Sequence, residues 1–379
     1  MTAPRVCLFA GSLNIGGTER NILHAARALK AGGWPVEVWC NYEGQPLQAG
    51  LEAAGVPCRG LKRLSTGQPF LARVFLHNLP YQFRLWRLLR QRRRDIIHVF
   101  GFPMTYYVIL LGWLAGARRM VFAVQDWDVW KKGCLYRWLD RLCSAAAARI
   151  IADGQGAARL AVERQGMSSA KMLVLYDGVD TAELTPKRSA QEVRAELGIG
   201  AGEVVAAVIA RLDARKKGQD VFLAAARHVT TPVRFLLVGG GPDQARLEDM
   251  AAGLPPAARP VFAGFRSDLA DVIQASDIIV IPSRWESVPK ILLEAMWLRR
   301  PVIASRAGDI PEILDSTAGR LTSVNDPCAL AAAITELAAD PALRAALGQA
   351  GRELIERRRL TLDASIARLK DEYLALARS

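Results

Sequence analysis

The chain has 379 residues, 51% of them apolar, so its length and composition allow one large core or, more readily, two. Its six scattered cysteines and four unclustered histidines show no metal-ligand spacing, which argues against a zinc module or disulfide framework and suits the cytosol. Residues 1–180 carry a net charge of +12 and seven of the nine tryptophans. That half predicts an anionic partner, either bilayer or nucleic acid, unless the arginines only reflect a GC-rich genome.

The first half predicts alternating strands and helices. Residues 4–10 predict a first strand, after which the turn SLNIGGTER leads into the helix NILHAARALKAGG. Buried strands are then expected in VEVWC (36–40), in DIIHVFG (95–101), at the start of MVFAVQDWDVW (120–130) and in ARIIADGQ (148–155). This rhythm is typical of a parallel, doubly wound sheet. The first residues lack the basic flank and long apolar core of a signal peptide, and the apolar run 106–117 is too short to span a bilayer.

The most unusual segment of this half is residues 70–94. Five apolar residues interleave there with arginines: Phe83, Leu85, Trp86, Leu88 and Leu89 with Arg84, Arg87, Arg90 and the three arginines at 92–94. Such a basic amphipathic helix can lie on an anionic membrane surface. The alternative is an ordinary domain helix with one face in the core and a solvated arginine face. RNA binding is less favoured, because no known RNA- or DNA-binding motif accompanies the run.

The second half opens with a polar, glycine-containing stretch at 181–202 that predicts a hinge. A second series of strands follows it: EVVAAVIA at 203–210, VRFLLV at 233–238 and DIIVIP at 277–282. Loops after these strands carry the charged sequence ARLDARKKG, the glycine turn VGGGPD and the segment FAGFRSDL. In the last of these, Ser267 is the expected helix N-cap.

The segment from 282 to 312 predicts a strand, a loop, a helix and a strand. Ser287 is the expected N-cap, Pro289 is tolerated in a first turn, and Pro301 ends the helix. Glu286 then lies in the loop and Glu294 in the helix. Free N–H groups of the first turn favour an anion, and carboxylates accept hydrogen bonds from hydroxyls. A nucleotide sugar has both features; the simpler alternative is a loop carboxylate and a solvated helix glutamate.

Glu286, seven residues and Glu294, within ESVPKILLEAMWLRRPVIAS, resemble the signature of the retaining family-4 glycosyltransferases of the GT-B fold. Further motifs occur in that family's order: GSLNIGGTER, DIIHVFG, YDGVD, ARLDARKKG, VGGGPD, FAGFRSDL and GDIPEIL. The resemblance implies an α/β fold of two doubly wound Rossmann-like domains facing a central cleft. It places an acceptor domain at 1–182, the hinge at 183–202, a nucleotide-sugar domain at 203–358 and a C-terminal helix, 359–379, packing back on the first domain.

The resemblance also implies site residues. Arg211 and Lys217 would bind the donor diphosphate, Glu286 the sugar and Glu294 the ribose. Backbone and side-chain groups of a larger donor-binding set would complete this site: Gly16, Gly17, Gly240, Phe265, Arg266, Ser287, Val288, Pro289 and Lys290. No metal or other cofactor is expected, because GT-B enzymes generally need none. The pair Asp126 and Asp128 is therefore not interpreted as a metal site.

The acceptor side departs from the family pattern. Gln125 stands before Asp126 where the family often has histidine, and glutamine cannot become cationic. His98 is at best a distant substitute. The expected function is transfer of a sugar from a UDP- or GDP-sugar to a glycan or lipid-linked acceptor in cell-surface polysaccharide or glycolipid synthesis, in the cytoplasm or on the inner face of the membrane. The alternatives are a non-catalytic GT-B protein and a GT-B epimerase; no nucleic-acid partner is expected.

Overall fold

The computed structural model describes residues 3–14, 17–61, 79–93, 95–101, 104–124 and 133–378. The chain forms two compact units. One consists of Met1–Tyr176 together with Ser365–Ser379, and the other of Asp177–Ala364. Each unit is built on its own parallel sheet.

The first unit contains a seven-stranded sheet of order β3-β2-β1-β4-β5-β6-β7. Its strands are β1 (Val6–Ala10), β2 (Val36–Cys40), β3 (Cys58–Gly60), β4 (Ile96–Phe100), β5 (Met120–Val124), β6 (Arg149–Ala152) and β7 (Met172–Val174). All pairings are parallel, and Val6 of β1 lies opposite both Val36 and Ile96. The strand order reverses at β1, so the doubly wound topology predicted from the sequence is confirmed.

Six α-helices accompany this sheet among the described residues. They are α1 (Gly17–Ala31), α2 (Gln48–Ala53), α3 (Leu79–Gln91), α4 (Met104–Leu114), α5 (Cys134–Ala146) and α6 (Gln155–Glu163). Strands β1, β2, β4 and β5 are buried along their whole length. Coverage of both sheet faces explains why these strands are continuous apolar runs instead of alternating ones.

The second unit contains a six-stranded parallel sheet of order β10-β9-β8-β11-β12-β13. Its strands are β8 (Val205–Ile209), β9 (Arg234–Val238), β10 (Val261–Phe262), β11 (Ile278–Ile281), β12 (Val302–Ser305) and β13 (Gly319–Thr322). The order reverses between β8 and β11, and the two strands pair at Ala206–Ile278. Loops after β8 and β11 therefore meet at the carboxyl edge, where ligands of open α/β sheets bind.

The α-helices of the second unit are mostly short. They are α7 (Ala190–Glu196), α8 (Ala214–Lys217), α9 (Gln219–Ala226), α10 (Gln244–Ala252), α11 (Leu269–Ala275), α12 (Lys290–Trp297), α13 (Ile310–Ile313), α14 (Pro327–Ala339) and α15 (Pro341–Arg357). The last helix of the chain, α16 (Leu362–Arg378), joins the first unit from Ser365 onward.

The segment 183–202, expected to be a hinge, contains a helix and belongs to the second unit. Ser189 and Glu192 form a reciprocal capping box at the start of α7. Arg194 donates to Asp277 at 2.7 Å and to the Ala275 carbonyl at 2.8 Å. The capping box is visible in the sequence, but these contacts with residues eighty positions away are not.

Helix α16 is attached to the first unit by buried contacts. The Tyr373 hydroxyl and His98 Nδ1 are hydrogen-bonded at 2.7 Å, and the Tyr373 ring also lies 6.3 Å from that of Trp34. Arg119 donates to the Ala377 carbonyl at 2.8 Å, and Arg149 pairs with Glu372. Burial lowers the pKa of His98 to about 3, so its imidazole is neutral at physiological pH.

Within the described ranges, no helix combines the length and apolar character needed to cross a bilayer.

Candidate functional site

The loop after β8 carries the first two candidate residues. Arg211 is exposed, and Lys217 ends the short helix α8, which Asp213 caps by accepting from the Lys216 backbone N–H at 3.3 Å. Gly218 follows with φ +68°, and a Cβ there would lie 2.0 Å from the Pro282 carbonyl oxygen. Only glycine therefore lets this loop approach the end of β11.

Lys217 and Glu286 are in direct contact. Lys217 Nζ donates to Glu286 Oε1 at 2.6 Å, and Ser283 Oγ donates to the same oxygen at 2.7 Å. Glu286 is only 6% exposed. The structure therefore joins two residues that the resemblance had assigned to neighbouring parts of one ligand, the diphosphate and the sugar.

The backbone at Glu286 is held from the loop after β12. Gly308 has φ +55°, and a Cβ there would lie 1.7 Å from the Glu286 carbonyl oxygen. Ser305 at the end of β12 donates through its hydroxyl to the Ser283 carbonyl. These contacts hold one side of the loop between β11 and α12 against the loop after β12.

The expected N-cap at Ser287 is wrong. Helix α12 begins at Lys290, and Pro289 occupies the N-cap position without a side-chain hydrogen bond. The Ser287 Oγ is buried and has no partner among the described residues. With Ser287 as the cap, Val288 would be the first helical residue. Helical backbone is disfavoured there because a proline follows, so the helix begins only after Pro289. Val288 and Lys290 are half-buried beside it, as is Glu294 within α12.

Glycines after β9 form another part of the same edge. A Cβ at Gly239 or Gly241 would lie 2.0 Å or 2.3 Å from the carbonyl oxygens of Ala210 and Leu212 respectively. At Gly240 nothing lies within 4 Å of such a Cβ. The outer glycines thus pack against the Arg211 loop, whereas Gly240 borders open space.

The loop after β10 presents Phe265, whose side chain is 74% exposed. Its neighbour Arg266 faces its own unit: it binds both carboxylate oxygens of Asp268, at 2.8 and 2.5 Å, and also pairs with Glu196. The hydrogen bonds from Arg266 lower the pKa of Asp268. Helix α11 starts at Leu269 after Asp268, so the expected N-cap at Ser267 is also wrong.

The described residues of the first unit add little to the acceptor side. His98 is 2% exposed, and its ring is hydrogen-bonded to Tyr373. It therefore packs the sheet against α16 and is not exposed to an acceptor, in contrast to the role considered for it from the sequence. Gly17 begins α1. Gly16, Gln125 and Asp126 lie outside the described residues.

Sequence reasoning missed several residues that hold the candidate loops. Gln219 is fully buried and donates to the Arg211 carbonyl at 2.8 Å, and Asp243 accepts from the Ala214 N–H at 2.7 Å. In the first unit, Asn41 donates to the Gly11 carbonyl at 2.9 Å and accepts from the Tyr81 hydroxyl at 2.6 Å. No local pattern marks these contacts, which join segments far apart in sequence.

One cluster of possible metal ligands occurs among the described residues of the first unit: Cys7, Glu37 and Asp95. Arg92 lies within it, with Nε 3.1 Å from Glu37 Oε1 and 4.0 Å from Asp95 Oδ2. A cation already compensates these carboxylates, so we interpret the cluster as a structural ion-pair network.

Two family profiles match the chain in succession. The profile described as "Glycosyltransferase Family 4" matches residues 15–183, and that described as "Glycosyl transferases group 1" matches residues 203–340. The chain belongs to the group 1 glycosyltransferases of family 4. The resemblance inferred from the spacing of Glu286 and Glu294 is therefore confirmed.

Several relatives of this glycosyltransferase match it over less than half of their length. It is 35% identical over 191 residues to D-inositol 3-phosphate glycosyltransferase of Corynebacterium kroppenstedtii, an alignment covering 46% of this chain and 42% of that protein. The chain thus spans about two fifths of that relative.

Solved structures match over nearly the whole chain. The Anabaena protein HepE, solved in complex with UDP, superimposes with a TM-score of 0.81 at 21% identity, covering 98% of this chain and 100% of that one. Sucrose-phosphate synthase of Thermosynechococcus elongatus gives the same score and identity over 99% and 100%. These likenesses confirm the GT-B fold of this family-4 glycosyltransferase.

Proposed function

We propose that this protein transfers a sugar from a nucleotide-sugar donor to a hydroxyl of a glycan or lipid-linked acceptor, with retention of anomeric configuration. The observation that carries the proposal is the contact between Lys217 and Glu286 at the carboxyl edge of the second sheet. A cation for phosphate and a carboxylate for sugar hydroxyls stand side by side there. Together they suit a ligand in which a sugar adjoins a diphosphate.

Each residue has a role set by its chemistry. Arg211 and Lys217 bind the diphosphate and stabilise the negative charge that develops on it as the glycosidic bond breaks. Glu286 accepts hydrogen bonds from the sugar, and Glu294, about one turn into α12, accepts them from the ribose. Backbone groups of Ser287, Val288, Pro289 and Lys290 lie between these two carboxylates.

The reaction we propose needs no protein base and no metal. The acceptor hydroxyl attacks from the face that the diphosphate leaves, and an oxygen of the departing phosphate takes its proton. The cations that meet the diphosphate are then side chains of this chain. The exposed Phe265 and the open space at Gly240 lie on neighbouring loops, where a nucleobase and phosphates can approach the backbone.

The nucleotide is tested directly by calorimetric titration with UDP, GDP and ADP. We expect UDP to bind, because the structurally similar Anabaena protein was solved with UDP and with UDP-glucose. Glu294→Ala should weaken that binding by roughly tenfold or more, since a charged hydrogen bond to the ribose is lost. Glu248→Ala, which removes an exposed glutamate of α10, is the matched control. Equal binding by wild type and both variants would remove Glu294 from the site.

The first unit favours an acceptor that resides at a membrane. Helix α3 buries Tyr81, Leu85, Leu88 and Leu89 in the core, which supports the simpler interpretation of its apolar face. Its outer face keeps Arg84, Arg87 and Arg90 exposed, together with Phe83, which is 64% exposed. The Phe83 ring stacks on Trp86, and the Arg90 guanidinium lies 5.3 Å from the Trp86 ring.

The end of α4 lies beside the end of α3 and adds further exposed apolar residues. Leu89 approaches Gly112, and Arg93 approaches Gly116, so the last turns of the two helices are adjacent. Trp113 and Leu114 are exposed there, and Arg118 lies over the Trp113 ring. We propose that this basic, aromatic face binds an anionic bilayer from the cytoplasmic side.

Membrane binding is tested with the triple variant Arg84→Gln, Arg87→Gln and Arg90→Gln. We expect wild type to sediment with vesicles of phosphatidylglycerol and phosphatidylcholine, and to do so less at high salt. The variant should lose roughly 1 kcal/mol of membrane-binding free energy per arginine replaced. Arg92 is left unchanged because it pairs with Glu37, so replacing it would also disturb that ion pair.

The control carries the same change of charge elsewhere: Arg159→Gln, Arg357→Gln and Arg368→Gln, all exposed arginines. If both triple variants bind the vesicles equally, the face formed by α3 and α4 is not the membrane-binding surface.

A further inference from the structure

We propose that Arg284 is a positioning residue, which joins the loop carrying Lys217 to the loop carrying Glu286 through an ion pair with Asp220. Its relevance to donor binding rests on the function proposed above. The joining of the two loops does not, because it follows from contacts within the second unit.

The side chain of Arg284 makes a two-pronged contact. Its Nη1 donates to Asp220 Oδ1 at 2.8 Å, and its Nη2 donates to Asp220 Oδ2 at 2.9 Å. Nη1 also donates to the Ala214 carbonyl. Both side chains of the pair are about four-fifths buried. A planar guanidinium matches a carboxylate in this way, whereas a lysine ammonium reaches one oxygen at a time.

The main chain of Arg284 adds a further contact with the same loop. Its N–H donates to the Lys216 carbonyl at 2.8 Å. Arg284 thus touches residues on both sides of Lys217 in sequence, at 214, 216 and 220. It stands two residues before Glu286, so the ion pair of Lys217 with Glu286 lies next to these contacts.

Asp220 is itself well fixed. It lies in the first turn of α9, where a carboxylate is favoured by the exposed N–H groups of the helix start. The preceding residues are equally constrained, because Gly218 packs on the Pro282 carbonyl and Gln219 is buried against the Arg211 carbonyl. The two hydrogen bonds from Arg284 to Asp220 therefore connect it to the well-packed start of α9.

Arg284 does not hold the sheet beneath. Strands β8 and β11 pair through their own backbone ladder, and their side chains are buried apolar residues. Loss of the Arg284–Asp220 ion pair should consequently increase the mobility of the two loops, while strands β8 and β11 stay paired. Because binding groups that shift by about 1 Å can lose roughly 100-fold in rate, such freedom matters at this site.

The experiment compares Arg284→Gln, Asp220→Asn and Arg284→Lys with wild type. The matched control is Arg320→Gln, which breaks another two-pronged pair of this unit, with Glu336, away from these loops. The first readout is hydrogen–deuterium exchange of residues 211–218 and 282–289 without ligand. The second is calorimetric affinity for UDP, GDP and ADP.

We expect Arg284→Gln and Asp220→Asn to raise exchange in both loops together, to leave β8 and β11 protected, and to weaken nucleotide binding by roughly 10- to 100-fold. Arg284→Lys should recover part of the protection, and Arg320→Gln should match wild type. Exchange and affinity in Arg284→Gln equal to those of Arg320→Gln would overturn the proposal. Coupled loop exchange with no nucleotide bound by wild type would support the joining of the loops and count against the proposed function.

Discussion

Replacement of Lys217 by alanine should reduce sugar transfer by roughly 100- to 1,000-fold, the range found when one charged or hydrogen-bonding group is removed from a developing anion. Lys217 Nζ is held at 2.6 Å from Glu286, so its position is fixed before the donor arrives. A preorganised cation stabilises the leaving diphosphate without reorganisation during the reaction. The measurement is release of the nucleoside diphosphate from nucleotide sugars that carry the nucleotide selected by calorimetry.

Glu286→Gln provides the second half of this prediction. Transfer should fall by a similar factor because the sugar loses its carboxylate partner. Affinity for the free nucleoside diphosphate should instead rise, because the amide no longer neutralises Lys217 and leaves its full charge to the phosphates. A purely structural role for Glu286 would lower both quantities together, so the two measurements separate the interpretations.

Lys216→Ala is the matched control for Lys217→Ala. It removes the same charge from the same short helix, one residue away. The described contacts of Lys216 are made by its main chain and not by its side chain. Transfer rates that fall equally in the two variants would indicate that only the net charge of the loop matters. Near wild-type transfer in Lys217→Ala would contradict its role at the diphosphate.

The sequence predicted the elements of the site better than their connections. Buried parallel strands produce long apolar runs, so β8, β9 and β11 were predicted close to their observed bounds. Carboxylates and cations in the following loops were identified because their spacing matches the motifs of the family. Contacts such as those of Arg284 and Gln219 were not predicted, because they join residues that local spacing does not relate.

Errors in the sequence interpretation have local causes. The cap expected at Ser287 failed because Val288, which precedes Pro289, disfavours helical backbone. The cap expected at Ser267 lies one residue later, at Asp268, which is also a preferred N-cap residue type. His98 was considered for the acceptor side only as a distant substitute for the histidine that the family often has where Gln125 stands. Its place in a fully buried strand, beside Tyr373 of α16, depends on a contact across 275 residues.

The basic helix α3 of the first unit is another element whose role could not be decided from the sequence alone. Its sequence allowed both a membrane-binding and a core-packing interpretation, and the structure contains features of each. The leucines of α3 are core residues, whereas its exposed arginines and Phe83 remain available. Trp113 and Leu114, at the end of the neighbouring helix α4, are also exposed, and the sequence of α3 alone could not show that they lie near it.

Gly308→Ala should be the most damaging single-methyl change at the site. The new Cβ would lie 1.7 Å from the Glu286 carbonyl oxygen, so either the loop carrying Glu286 or the loop after β12 must move. The positive φ of +55° adds backbone strain of about 1 kcal/mol or more. We expect transfer to fall by roughly 100-fold, since Glu286 is displaced from the sugar.

Gly198→Ala separates strain from displacement. Gly198 has a similar φ of +65°, but nothing lies within 4 Å of a Cβ built there. It should lose stability in urea unfolding by about 1 kcal/mol, with transfer unchanged. Gly308→Ala should lose more stability and also activity, and the difference between the variants measures the overlap with Glu286. Equal unfolding free energies and equal transfer rates would show that the loop after β12 yields freely, so that Glu286 is held from the side of Lys217 and Ser283 alone.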